Sequence, residues 1–185
     1  MITITLNAIR NHRPCTTGWE KLLNYLGKTK ADDTPFPLVT VLESNGLDDA
    51  LWCCRCLPEY DSAWRLFAVW CARQVQHMMT DPRSISALDV AKRFASGEVT
   101  AEELAAARAA ALAAVSAATW AAAASAAVSA AAASAAVSAA DASAEAVSAT
   151  VSAAPRAAAK ATARESQSSA FRQLITTGTL PEVGK

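Results

Sequence analysis

Charge is missing from a long stretch of this chain: between Arg108 and Asp141 no Lys, Arg, Asp or Glu occurs. Glycine is also scarce, with only 6 in 185 residues. Most of these sit where a helix would end, which leaves no glycine-rich phosphate loop and no nucleophile elbow. Net charge is absent, since 17 basic and 17 acidic side chains balance. That balance removes both the basic footprint of a nucleic-acid binder and the acidic excess of a nucleic-acid mimic. Met1 to Leu6 shows neither a basic leader nor a long apolar one, so a cytoplasmic location is expected. With an odd count of 5 cysteines, reduced thiols are expected there.

What fills the uncharged stretch is alanine and serine, from about Thr100 to Ala161. Alanine loses no side-chain entropy in a helix and has the highest helix propensity, so this run is predicted helical. Leu, Ile and Phe, which drive membrane insertion, are sparse in it, and no Lys or Arg cluster flanks it; a membrane span is not expected. Threonine is too sparse for an ice-binding face. Ser125, Ser134 and Ser143 recur at a spacing that puts them on alternate sides of a helix, while Val115, Val137, Val147 and Val151 form one modest stripe. A single helix through the run would be about 80 Å long, so shorter segments packed closely on one another are expected. Trp120 stands alone among the alanines, as a plug against the front of the chain or as an anchor for a partner.

The first hundred residues read as helix after helix. Thr5 opens a helix over 6–12. Thr17 with Glu20 forms a capping box for a second helix whose apolar face is Trp19, Leu22, Leu23 and Leu26, closed by Gly27. The run 35–43 has β-branched residues but no evident strand partner, and helix is expected. Asn45 is expected to cap a helix over 47–57, stopped by Pro58. The most apolar helix spans about 61–79 and looks central, with Trp64, Phe67 and Trp70; a further one starts at Asp81-Pro82 and stops at Gly97. Thr100 with Glu103 makes another capping box. Pro155 must end or kink a helix, and a last helix over about 156–176 has Phe171, Leu174 and Ile175 as anchors. The predicted architecture is all-α: an irregular helical bundle or short α-solenoid of antiparallel helices. Its sections are a compact domain over 1–99, an alanine- and serine-rich helical section over 100–176 packed on it, and a tail over 177–185.

Cys53 and Cys56 make a C-x-x-C pair, but inside a predicted helix and without a second pair, so they read as small buried apolar residues rather than as a metal or redox site. Trp52, Trp64 and Trp70, at helical spacing beside Leu and Phe, read as core. No catalytic residue, cofactor or metal is expected. The best polar constellation is Arg65, Arg73, His77 and Asp81, with Arg73 and His77 on one side of the central helix. Arg65, Arg73, His77 and Trp120 are the candidate partner-binding residues, and a small helical enzyme using His77 with Arg73 is the rival reading.

At Trp19-Glu20-Lys21-Leu22-Leu23, Leu26-Gly27-Lys28-Thr29-Lys30-Ala31-Asp32-Asp33, Ser44-Asn45-Gly46-Leu47-Asp48-Asp49-Ala50-Leu51-Trp52 and Arg65 to Arg73, the chain resembles a family of alanine-rich bacterial and prophage proteins known as immunity proteins. The resemblance runs over about residues 6–115, through Asp81 to Ser84 and Ala87 to Ala91. It implies a non-enzymatic, cytoplasmic protein that binds and neutralises another protein or protein complex by steric blockade. A phage-borne inhibitor of a host defence complex of the CRISPR kind is the alternative. Self-association as a homodimer through the small-residue faces of the alanine run is a further reading, and no direct nucleic-acid contact is expected.

Overall fold

The computed structural model describes residues 1–79, 81–114 and 153–182. The alanine run over 115–152, with Trp120, Ser125, Ser134 and the valine stripe, lies outside them. Among the described residues the regular elements are helices apart from one short pairing, β1 (Thr3–Ile4) antiparallel to β2 (Phe36–Pro37). That pairing corrects the helix expected over 35–43. Pro35 and Pro37 supply no backbone N–H, and Phe36, preceding a proline, is pushed out of the α region. Its partner at Thr3–Ile4 is too short to announce itself as a strand. The pairing is extended by Leu38, whose N–H donates to the Ile2 carbonyl at 3.0 Å.

Next to the strands, α1 (Leu6–Asn11) begins at Thr5, whose Oγ1 accepts from the Ala8 N–H at 3.1 Å. Helix α2 (Thr16–Leu26) starts one residue earlier than the Thr17 box implies. Cys15 is its cap, with Sγ accepting from the Gly18 N–H at 3.3 Å, and Gly27 closes it at φ 65°. Helix α3 (Val39–Asn45) runs into α4 (Leu47–Cys53) through Gly46, which takes φ 98° and itself occupies the N-cap position expected for Asn45. The helix expected over 47–57 ends at Cys53, where the chain tightens into 3-10 turns over Cys54–Cys56 and Pro58–Tyr60.

The apolar helix is α5 (Asp61–Arg73), and a 3-10 turn over Gln76–Met78 replaces its expected last turns. Helix α6 (Pro82–Ala95) is capped by Asp81, whose Oδ1 accepts from the Arg83 N–H at 2.8 Å. Helix α7 (Ala101–Ala114) opens on the expected reciprocal box: the Thr100 N–H donates to Glu103 Oε2 at 2.8 Å, and the Glu103 N–H to Thr100 Oγ1 at 3.2 Å. These three helices pack in sequence, α5 on α6 and α6 on α7.

The last helix, α8 (Ala153–Thr177), returns to the front of the molecule and packs on α3, α4 and α5. Pro155 falls within this helix and supplies no backbone N–H to it. The reason for the return is apolar area. Phe171 is fully buried, with its ring 5.1 Å from Phe67 edge-on and 6.0 Å from Trp64; Phe67 in turn stacks on Trp70 at 6.3 Å. Leu174 and Ile175 are buried beside it, and the Ile2 N–H donates to the Ile175 carbonyl at 2.8 Å. Arg172 pairs with Glu43 at 2.6 Å and Arg164 pairs with Asp48, fixing the helix along α3 and α4. One continuous apolar cluster therefore includes Leu104, Ala111, Phe171 and Ile175 with Trp64 and Phe67. No helix among the described residues is long and apolar enough to cross a membrane.

Removal of this wedge is expected to be severe. Phe171→Ala should cost about 3–5 kcal/mol of unfolding free energy in urea. Arg172→Ala, which loses only an exposed pair, should cost under about 1 kcal/mol by the same measurement.

Candidate functional site: a cavity walled by two indoles

Gly18 lies inside α2, where it serves no cap. Its role is close approach: a Cβ there would sit 2.7 Å from Asp49 Oδ2 and 3.1 Å from Cys15 Sγ. The backbone of α2 therefore rests against the first turn of α4. Asn45, the last residue of α3, ties the two together by donating through Nδ2 to Asp49 Oδ2 at 2.7 Å and to the Gly18 carbonyl at 2.8 Å. Asn45 Oδ1 accepts from Ser44 Oγ at 2.8 Å. An amide held at these points can neither rotate nor flip without losing bonds, so it fixes the carboxylate.

Beside this polar tie is a cavity of about 100 Å³. Trp19 and Trp52, both half-buried, wall it together with Leu22 and Val41, and Cys15 stands at its edge. Trp52 also carries the Arg55 guanidinium 4.7 Å from its ring centroid, while Arg55 Nε donates to the Trp52 carbonyl at 3.0 Å.

The thiols divide by exposure. Cys15 is exposed and Cys56 half-buried, whereas Cys53, Cys54 and Cys71 are buried. Desolvation disfavours a thiolate, so burial pushes Cys53, Cys54 and Cys71 well up and raises Cys56 from 9.0 to about 11. Among the described residues no group of His, Cys, Asp and Glu gathers to hold a metal ion.

The residues singled out in the sequence lie elsewhere. Arg65 pairs with Asp61 at 2.8 Å and covers the Phe94 ring at 5.1 Å, while Arg73 pairs with Asp89 at 2.5 Å and donates to Gln76 Oε1 at 2.7 Å. Both arginines thus stitch α5 to α6. His77 is exposed in the 3-10 turn after α5, and Trp120 lies outside the described residues. Asp81 is held by Arg83, whose guanidinium keeps its carboxyl below the usual range. A second, larger groove of about 450 Å³ borders Arg73, with Trp70, Lys92, Leu180 and Glu182 around it. The Trp70 indole N–H reaches across to the Pro181 carbonyl at 2.9 Å.

Sequence reasoning missed the trio Gly18, Asn45 and Asp49. One signal was available: a glycine inside a helix without a capping role marks close packing. In the sequence Asn45 reads instead as the cap of the next helix and Asp49, four residues on, as a first-turn acid at the positive end of that helix.

Gly18→Ala is expected to destabilise by about 1–3 kcal/mol, because overpacking forces Asp49 off Asn45. In an Asp49→Ala background the same change should cost clearly less, because only the 3.1 Å approach to Cys15 Sγ remains, set against up to about 1 kcal/mol of gained helix propensity. A double-mutant cycle in urea reads both values. In thiol labelling at pH 8, Cys15 should react at once and Cys56 slowly, gaining about ten-fold per pH unit towards its raised value. Cys53, Cys54 and Cys71 should react only on unfolding. Because the folded thiols hold protons that the unfolded ones release, stability should fall as pH rises above 9.0.

Compared with family models, with characterised proteins and with solved structures, the chain matches none of them.

Proposed function

We propose that this chain is a non-enzymatic protein-binding module that neutralises a protein partner by covering one of its surfaces. The observation that supports this reading is the size and wall of the cavity beside Gly18. At about 100 Å³ it is smaller than the roughly 300–1,000 Å³ of small-molecule sites, and it suits one anchoring side chain. Its walls, Trp19 and Trp52, are of the residue type that carries most energy in interface hot spots. Two of the stretches on which the resemblance to immunity proteins rests, 19–23 and 44–52, meet at this cavity. A toxin is accordingly the first partner to test, with a host defence complex second. A neutral overall charge favours steric cover over electrostatic mimicry of a nucleic acid.

The test is affinity capture from the native host with identification by mass spectrometry, using the full chain beside a Trp19→Glu variant of verified helicity. One protein retained in stoichiometric amount by the first and at least about ten-fold less by the second is expected, as for loss of an anchor worth over 1.4 kcal/mol. Retention of no protein by either chain would contradict the reading.

A further inference from the structure

The cavity beside Gly18 has a chemical sign. Among the residues that line it, Asp49 is the single charged one. Its carboxylate has no ion-pair partner among the described residues: Asn45 occupies Oδ2 at 2.7 Å, and no donor reaches Oδ1. Asp49 thus brings a half-buried carboxylate, held through one oxygen, to the wall of a mostly apolar space, and that negative charge favours a cation there over an anion or a neutral alkyl group.

Resting on the protein-binding reading, we propose that this cavity takes one alkylammonium group, the side chain of a lysine presented by the partner. The ammonium would meet the free Asp49 oxygen, and the methylene stem would lie along Leu22, Val41 and the two indoles. Tryptophan rings attract cations, and Trp52 already does so with Arg55 at 4.7 Å. Arginine is the poorer fit. A guanidinium gains from a forked pair with both carboxylate oxygens, and Asn45 holds one of them. Lysine needs only a point contact. Gly18 keeps this arrangement open, because a Cβ there would stand 2.7 Å from Asp49 Oδ2 and displace it.

The experiment titrates n-butylammonium, 1-butanol and butyrate separately into the full chain, following the Trp19 and Trp52 indole N–H resonances by NMR. The three probes share a four-carbon scale and differ in charge, so the comparison needs no variant. Saturable shifts at both indoles with butylammonium, at least about ten-fold tighter than with butanol, are expected from a charge-assisted contact. Butyrate should not bind. In Asp49→Asn the butylammonium affinity should fall to that of butanol, while the dispersion of the remaining resonances stays unchanged. Butylammonium no tighter than butanol in the unaltered chain overturns the proposal. A captured partner released by saturating butylammonium supports it. A partner retained at that concentration overturns the lysine anchor and leaves the protein-binding reading standing, whereas a charge-selective cavity with no protein captured keeps the cation site and removes the partner.

Discussion

Phe171 is the residue on which the two ends of this chain meet. Its ring fills the space between Trp64 and Phe67 on α5, and without it α5 would expose the aromatic face that makes it central. The area involved explains why α8, otherwise polar and alanine-rich, sits against α3, α4 and α5 rather than continuing away. Its ion pairs through Arg164 and Arg172 set direction along the front helices and contribute little energy. The Ile2 to Ile175 hydrogen bond then joins the first strand to the last turn of the last helix. Closure of the chain on itself is thus apolar in its energetics and polar in its register.

Local signals were legible wherever the structure is local. The Thr100 and Glu103 box, the Asp81 cap with Pro82 behind it, and the stops at Gly27 and Gly97 depend only on residues within a turn of one another. Legibility failed where the partner is distant or unusual. Phe36–Pro37 pairs with Thr3–Ile4 across more than thirty positions of sequence, and two-residue strands carry no periodicity to read. Cys15 caps α2 with a thiol, a group outside the usual capping set. The core tryptophans were readable from helical spacing, but that Phe171 closes on them was not, because spacing within α8 does not state which helix it meets.

The cavity beside Gly18 shows the same limit at the level of function. Arg65 and Arg73 stand out as charged residues on the central helix, with His77 in the turn after it, yet both arginines are spent on holding α5 to α6. The better site is assembled from α2, α3 and α4, each contributing a residue that looks ordinary alone. Gly18 gives room, Asn45 gives orientation and Asp49 gives charge. All three were visible as letters; their meeting is a product of the α2 packing.

The front helices and α8 share one apolar cluster and are expected to unfold as one cooperative unit. Native-state hydrogen exchange tests it directly at three protons: the Ile2 N–H bonded to Ile175, the Leu38 N–H bonded to Ile2, and the Trp64 indole N–H bonded to Leu57 at 3.1 Å. All three are expected to open with the same free energy, equal to that of global unfolding. Exchange of Ile2 at a much lower free energy than the Trp64 indole would show that α8 detaches by itself, and would contradict it.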